Sequence, residues 1–238
     1  MAELPAVAEF GRRLASLDAV TDLLVAGSLA TGDYIPGVSD LDLVALTSGP
    51  VSVSALTALH SDLDAGAAAG QKLGCVYVPV AAIPDLSARH PTWTHGRLVD
   101  RILSGVTRAE LARHGYAVFG RPPSDVFPPV GPADIRAAAR AELTGYWAWA
   151  ARRPWVFLDP EMADLGLSSM ARGRHALREG ALLTKTRAVE RAAAPPWLRT
   201  QLSARRRGEP VSSPRLRTAW LAWRDARRTV GEAQKPAR

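Results

Sequence analysis

The sequence predicts an α+β fold in which a mixed-sheet domain, residues 1–128, precedes an all-helical domain, residues 129–238. Short apolar runs alternate with helix-like segments up to about residue 82. A proline-rich stretch between residues 121 and 129 then suggests a crossing between domains, and nearly everything after residue 132 has helical periodicity. With 47% hydrophobic residues, the 238-residue chain can bury a substantial core.

Three strands are predicted in the first domain, at residues 23–26, 40–46 and 74–80, with helices at residues 5–19 and 52–69. The first strand is a short apolar run that stops at Gly27, and the second alternates at period two. In the second domain we expect helices at residues 134–152, 164–179, 184–193 and 215–230, with Gly180 ending the second of them.

Composition restricts the classes of function. A single cysteine, Cys75, excludes an internal disulfide and a multi-cysteine zinc site. No apolar run approaches the ~20 residues that span a bilayer, and the N-terminal residues lack a basic region followed by an apolar stretch, so we expect a cytoplasmic protein without a membrane partner. The net charge of +7 suits an anionic ligand, but scattered arginines without interleaved aromatic residues do not favour nucleic acid.

The strongest functional signal is the segment from residue 27 to residue 42. Gly27 ends a strand and allows the backbone to approach a phosphate, to which Ser28 can offer a hydroxyl and an amide. Asp40 and Asp42 alternate along a strand, so their carboxylates point to one face and can bind Mg²⁺. Metals there could stabilise the attacking and leaving oxygens in displacement at phosphorus, which predicts a nucleotidyltransferase with Asp40 and Asp42 as metal ligands and catalytic residues.

Residues from about 23 to 230 resemble the aminoglycoside adenylyltransferases that modify streptomycin and spectinomycin. The resemblance is carried by three motifs: Gly27-Ser28 with the segment 39–43, the segment 108–130, and the pattern Arg172, Gly180, Lys185. It implies a nucleotidyltransferase-like domain followed by a helical domain that binds substrate and nucleotide. It also implies Mg²⁺-dependent transfer of AMP from ATP to a hydroxyl of a small molecule, an aminoglycoside or aminocyclitol antibiotic, by a protein expected to be a monomer.

The same resemblance assigns roles to further residues. Ser39, Arg172 and Lys185 join Gly27 and Ser28 in binding the nucleotide, with an exposed helical position as the alternative for the arginine and the lysine. Substrate recognition would involve two residues of the helical domain, Trp147 and Asp159. Core packing is the alternative for Trp147. Acidic groups such as Asp159, Glu161 and Asp164 would suit a polycationic aminoglycoside.

The sequence departs from the family at the third carboxylate, the proposed base, on the strand at residues 74–80. The matching position is Cys75, or Gly74 if the register shifts by one, and neither is a carboxylate. The enzyme could be slow, another carboxylate such as Asp33 or Asp100 could substitute, or the fold could bind nucleotide and antibiotic without transfer. A nucleotidyltransferase that acts on RNA or protein is a further alternative.

Two other positions leave alternatives open. The family's tyrosine near the nucleotide has no match, and an arginine from residues 205–207 could take its place. His90 and His95 lie in a polar, aromatic segment after the third strand, which predicts a loop facing solvent or substrate, with metal binding by the two histidines as the alternative.

Overall fold

A computed structural model describes residues 4–235, and the chain divides into two compact units, Met1–Val130 and Gly131–Arg238. The division falls two residues beyond the expected domain boundary. The predicted fold class is confirmed: a mixed sheet with helices forms the first unit, and every regular element described in the second is helical. No helix within residues 4–235 is both long and apolar enough to cross a bilayer.

Within residues 4–130, the first unit contains six strands and four α-helices. The strands are β1 (Val20–Val25), β2 (Leu41–Thr47), β3 (Leu73–Pro79), β4 (Arg89–Thr94), β5 (Arg97–Ile102) and β6 (Tyr116–Phe119), and the helices are α1 (Pro5–Leu14), α2 (Gly27–Ala30), α3 (Val53–Ala65) and α4 (Gly105–His114). The strands form one sheet in the order β5-β4-β3-β2-β1-β6. Neighbouring strands are antiparallel except β2 and β3, which are parallel.

The expected loop after the third strand is instead a β-hairpin, formed by β4 and β5. Its two-residue turn consists of His95 and Gly96, whose φ angles are 52° and 70°. Two consecutive positive φ angles match the twist of a tight hairpin turn. Histidine tolerates this backbone better than most residues, but His-Gly is a weaker turn signal than Asn-Gly, so the sequence favours a loop where the structure has a hairpin.

The sheet is covered on both faces, and alternation along each strand determines which face a side chain joins. Leu41, Leu43 and Cys75 pack on one side in a cluster that includes residues of α1 and α3. Val44 and Val78 pack on the other side in a cluster that includes residues of α4. Asp42 alternates with Leu41 and Leu43, so its side chain belongs to the α4 face of the sheet.

A buried carboxylate joins strand β1 to the segment after the edge strand β6. Asp22 accepts hydrogen bonds from the Arg121 backbone N–H (2.6 Å), from Arg121 Nη2 (2.7 Å) and from the Thr21 hydroxyl (2.6 Å). Burial alone would raise the pKa of Asp22, but the bonds from Arg121 and Thr21 hold that pKa below its usual value. Arg121 lies in the motif at residues 108–130, so part of that resemblance reflects a structural ion pair.

As far as residue 235, the second unit contains six α-helices around its own apolar core. They are α5 (Pro132–Thr144), α6 (Tyr146–Ala151), α7 (Pro160–Glu179), α8 (Lys185–Glu190), α9 (Pro196–Arg206) and α10 (Arg215–Ala233). The single helix expected at residues 134–152 is broken at Gly145, whose backbone leaves the helical region (φ −90°, ψ −103°). Helix α9 was not predicted, although proline at its first position is a favourable helix start. Gly180 ends α7 in the left-handed conformation, as expected.

A buried histidine of the first unit, His60, makes the stability of that unit depend on pH. His60 is 0% exposed, contacts the Tyr77 hydroxyl through Nε2 at 2.7 Å and stacks on Trp93 with ring centroids 4.8 Å apart. Burial lowers the pKa of His60 to about 3. Because the unfolded chain titrates near pH 6.5, it binds one more proton than the folded protein between those values, and acid therefore destabilises the fold.

We expect His60→Gln to reduce the loss of stability between pH 6.5 and pH 4 by about 1.4 kcal/mol per pH unit, since one coupled proton is removed. Hydrogen exchange of the β1–β3 amides, measured as a function of urea concentration, gives the free energy of unfolding of the first unit specifically. His95→Gln, at an exposed turn, is the matched control and should keep the wild-type slope. An unchanged slope in His60→Gln would contradict the assignment.

Candidate functional site

The centre of the candidate site is the close approach of Gly27 to Asp42. Strand β1 ends at Val25, and the next residue, Ala26, donates its N–H to the Asp42 carbonyl at 2.8 Å. Gly27 then turns the chain with φ of 60°, and a Cβ placed there would lie 2.1 Å from Asp42 Oδ2. Two features therefore require glycine at this position: its positive φ, and the Asp42 carboxylate, which leaves no space for a Cβ.

The short helix α2 holds Ser28 directly beside this contact. Ser28 is 4% exposed, and its hydroxyl has no hydrogen-bond partner within the described part of the chain. The turn itself is tied down, because the Thr31 hydroxyl donates to the Gly27 carbonyl at 3.1 Å and the Asp33 N–H donates to the Ser28 carbonyl at 2.8 Å. A buried hydroxyl without a partner is unfavourable unless a ligand satisfies it, and a phosphate oxygen has the chemistry to do so.

Ser39 closes the loop that leads into the aspartate pair. Its hydroxyl accepts a hydrogen bond from the Ile35 N–H at 3.0 Å, and its own N–H donates to the Ile35 carbonyl at 2.9 Å. These two bonds give Ser39 a structural role that the sequence did not reveal. The predicted nucleotide contact of Ser39 stays a prediction.

The two aspartates lie at the start of β2, where a hard cation could be bound. Asp40 immediately precedes the strand and Asp42 is its second residue, so extended alternation places them on the same side. No group of three or more His, Cys, Asp or Glu residues with metal-site geometry occurs among residues 4–235. Two carboxylates beside a phosphate site nonetheless match the preference of Mg²⁺, which keeps water and substrate phosphates as its other ligands.

Gly74, and not Cys75, is the β3 residue that lies beside Asp42. The parallel register pairs Asp42 with Gly74 and Leu43 with Cys75. Cys75 therefore points into the α1 and α3 side of the sheet, where it is 0% exposed and where burial raises its pKa to about 12. The expectation that Cys75 occupies the position of the missing carboxylate is wrong, because neighbouring residues of a strand face opposite sides.

The two carboxylates considered as substitutes occupy different surroundings. Asp100 pairs with Pro91 in the hairpin, which puts it on the Trp93 side of the sheet, opposite to Asp42. Asp100 is therefore excluded as a substitute. Asp33 lies at the end of the α2 turn, and its possible role stays a prediction.

The alternative metal site at His90 and His95 is also wrong. His90 is buried on β4, whereas His95 is exposed in the turn that follows the strand. Five residues of extended chain separate them, about 16 Å at ~3.3 Å per residue, which is too far for two ligands of one ion.

In the second unit, Arg172 and the start of α8 come together. Arg172 Nε donates to the Leu183 carbonyl at 2.9 Å, which orients the guanidinium toward the segment before α8. Thr184 caps that helix by accepting the Arg187 N–H at 3.3 Å, and Lys185 is its first residue. The structure thus places two cations of the predicted pattern in one region of the helical unit.

The residues predicted to recognise substrate have structural roles in this unit. Trp147 is 5% exposed and belongs to the apolar core, so the packing alternative describes its observed surroundings. Asp159 is exposed and caps α7 by accepting the Glu161 N–H at 2.9 Å. Asp164 receives two bonds from Arg205, at 2.6 Å and 2.9 Å, so its charge is compensated within the protein.

Comparison with known proteins agrees with this geometry. Residues 7–72, which include β1, α2 and β2, match the nucleotidyltransferase domain family. The fold is similar to that of the spectinomycin adenyltransferase AAD(9) from Enterococcus faecialis, solved with ATP and spectinomycin: the TM-score is 0.70 and the identity 11%, with 95% of this chain and 98% of that chain covered. The chain therefore has a nucleotidyltransferase fold extended by a helical unit.

Two other comparisons add little. A toxin–antitoxin structure with AMP-PNP covers 52% of this chain and 78% of its own at 15% identity, and its TM-score of 0.32 is too low to support an argument. No curated protein matches the sequence.

The Gly27–Asp42 contact can be tested with two alanine substitutions. Gly27 and Gly32 both have positive φ, 60° and 70°, but a Cβ at Gly32 meets no atom within 4 Å. Gly32→Ala should lower the free energy of unfolding by about 1–2 kcal/mol through backbone conformation alone. Gly27→Ala should lower it further, because the Asp42 carboxylate must also move. Equal losses in urea titrations would contradict the contact.

The register of β3 can be tested by placing a glutamate at each of two neighbouring positions. Apart from its chain neighbours, a Cβ at Gly74 meets nothing among residues 4–235 closer than the Trp93 carbonyl oxygen at 3.6 Å, so Gly74→Glu should cost mainly the repulsion from the neighbouring Asp42 carboxylate, about 1 kcal/mol. Cys75→Glu puts an unpaired carboxylate into the core and should remove about 3 kcal/mol or more. Thermal unfolding of the two variants measures the difference, and the reverse order would contradict the register.

Proposed function

We propose that this protein is a Mg²⁺-dependent nucleotidyltransferase that moves AMP from ATP to a hydroxyl of a small molecule, with an aminoglycoside or aminocyclitol as the acceptor class. The observation that carries the proposal is the buried Ser28 hydroxyl, which has no hydrogen-bond partner among residues 4–235 and lies next to the Gly27–Asp42 contact. The matched nucleotidyltransferase domain supports the reaction class, and the similar fold of a spectinomycin adenyltransferase motivates the acceptor class.

Each residue of the site has a defined task in this proposal. Asp40 and Asp42 would hold Mg²⁺, which when bound supplies Lewis-acid stabilisation of charge on the phosphate oxygens. Gly27 leaves room for a phosphate beside the backbone, and the Ser28 hydroxyl donates to one of its oxygens. Asp22 and Arg121 hold the end of β6 against β1, the strand that leads into this turn.

The helical unit would contribute phosphate-binding cations and an acidic surface for the acceptor. Arg172, oriented by the Leu183 carbonyl, and Lys185 are proposed to bind the triphosphate. Asp159 and Glu161 are exposed at the start of α7, where they could pair with the ammonium groups of an aminoglycoside. Trp147 is buried in the apolar core of this unit, so any contribution to substrate recognition would be through packing.

A protein that binds nucleotide and antibiotic without efficient transfer is a second candidate. It is favoured by Gly74, because the β3 position beside Asp42 carries no side chain and hence no carboxylate. Calorimetry that detects binding of ATP and streptomycin together with no adenylylated product would support this candidate. Turnover at ordinary enzymatic rates would exclude it.

A nucleotidyltransferase that acts on RNA is a third candidate, favoured by the distribution of charge. Residues 131–238 contain 21 Arg and Lys against 10 Asp and Glu, whereas residues 1–130 contain 9 against 13. On α10, Arg224 stacks on exposed Trp220, so one helix does combine basic and aromatic side chains, contrary to the expectation from the sequence. Binding of tRNA that weakens steeply with salt and is lost in Arg224→Ala, but retained in Arg187→Ala, would support it.

The proposed reaction is tested by incubating the protein with ATP, Mg²⁺ and a panel of aminoglycosides and aminocyclitols, and by detecting an AMP-linked product by mass spectrometry. Asp42→Asn should lower the rate by about 10²-fold or more, because metal stabilisation of the transition state amounts to several kcal/mol. Asp62→Asn, whose side chain is 74% exposed on α3, is the matched control and should keep full activity. An Asp42→Asn variant as active as the wild type would refute the metal assignment.

A further inference from the structure

We propose that His95, oriented by Thr94, accepts the proton of the acceptor hydroxyl in place of the absent β3 carboxylate. The inference rests on the proposed function, because it concerns the base of that reaction. The proposed reaction needs a group that accepts the proton of the acceptor hydroxyl. Gly74 has no side chain, Cys75 faces the core, and Asp100 lies on the opposite face of the sheet, so none of these three residues can be that group.

The register of the sheet places Thr94 next to Gly74. Strands β3 and β4 pair Cys75 with Trp93 and Val76 with Thr92 in antiparallel order, so the next residue pair is Gly74 and Thr94. Thr94 alternates with Trp93 and therefore faces the Asp42 side of the sheet. Asp42, Gly74 and Thr94 therefore lie side by side on the neighbouring strands β2, β3 and β4. Since adjacent strands are ~4.8 Å apart, the backbones of Asp42 and Thr94 are separated by about 10 Å.

The gap between Asp42 and Thr94 is open at its middle position. The nearest atoms to a Cβ built on Gly74 are two backbone oxygens, those of Trp93 at 3.6 Å and Leu41 at 3.7 Å. Apart from the two chain neighbours of Gly74, no side chain of the described residues comes within 4 Å of that point. An acceptor hydroxyl could therefore approach between the aspartate and the hairpin turn.

The hairpin turn places an imidazole beside Thr94, the residue that borders this gap. His95 Nδ1 lies 2.8 Å from Thr94 Oγ1, and this hydrogen bond draws the ring toward the face on which Thr94 lies. When the threonine hydroxyl accepts the Nδ1–H, the lone pair of the base is on Nε2, at the far side of the ring. The left-handed backbone of His95, with φ of 52°, is the conformation that the tight turn imposes.

The charged and titratable groups around the turn come from four elements. Arg97 pairs with Thr94 on β5, Lys72 immediately precedes β3, and Asp40 and Asp42 lie at the start of β2. On the other face, α3 contributes Asp64, which accepts a bond from Trp93 Nε1 at 3.1 Å, and the buried His60.

The step conserves atoms and electrons. The acceptor hydroxyl transfers its proton to His95 Nε2, and the hydroxyl oxygen forms a bond to the α-phosphorus of ATP. The bond between that phosphorus and the bridging oxygen of pyrophosphate breaks, and pyrophosphate leaves with the electron pair. His95 then returns its proton to solvent.

The test compares rates of AMP transfer to streptomycin or spectinomycin at saturating ATP and Mg²⁺. We expect His95→Gln to lower kcat by about 10²–10⁴-fold, to leave KM for ATP and for the antibiotic unchanged, and to remove the acid limb of the kcat/KM profile. Added imidazole should partly restore His95→Ala, and Thr94→Val should lower kcat by a smaller factor. His114→Gln, at an exposed position on α4, should behave as wild type.

A second variant separates a catalytic role from a structural one. Gly74→Glu supplies a carboxylate beside Asp42, so the double variant His95→Gln, Gly74→Glu should recover at least tenfold of the lost kcat and show a new acid limb characteristic of a carboxylate. If wild type transfers AMP and His95→Gln keeps both kcat and the acid limb, the inference is overturned while the proposed function stands. If neither wild type nor Gly74→Glu transfers AMP to any acceptor, both are overturned.

Discussion

The structure of the site depends on one contact, between the backbone of Gly27 and the carboxylate of Asp42. The chain leaves β1, turns at Gly27 and places Ser28 beside Asp42. This turn requires glycine, because a Cβ at residue 27 would lie only 2.1 Å from Asp42 Oδ2. The same turn is held from behind by the hydrogen bond between Ala26 and the Asp42 carbonyl. The Ser28 hydroxyl, which we propose binds phosphate, and the Asp42 carboxylate, which we propose binds metal, are thereby brought together by two adjacent strands of one sheet.

The alternation of side chains along the sheet then determines which residues can take part. A shift of one residue in the register of β3 would place Cys75, which is buried in the core, beside Asp42 where the structure has Gly74. Gly74 leaves space next to Asp42, whereas Cys75 is held protonated by burial and lies on the other side of the sheet. The absence of a side chain at Gly74 makes the neighbouring hairpin relevant to the chemistry.

Much of the first unit could be predicted from the sequence because its signals are local. The apolar run before Gly27 and the alternation after Asp40 indicated β1 and β2, and the order of Gly, Ser and Asp residues indicated the nucleotidyltransferase domain that residues 7–72 match. The β4–β5 hairpin could not be predicted, since its turn is His-Gly and its strands are largely polar. Strand register, the partner of Ser39 and the burial of Trp147 depend on tertiary packing, which periodicity does not encode.

The central claim is that Ser28 and the Asp40–Asp42 pair form one nucleotide and metal site. A crystal structure with Mg²⁺ and a non-hydrolysable ATP analogue tests this claim most directly. The account predicts Mg²⁺ bound at about 2.1 Å to carboxylate oxygens of Asp40 and Asp42, with a phosphate oxygen hydrogen-bonded to the Ser28 hydroxyl. A nucleotide bound elsewhere, with the Ser28 hydroxyl satisfied by protein, would contradict it.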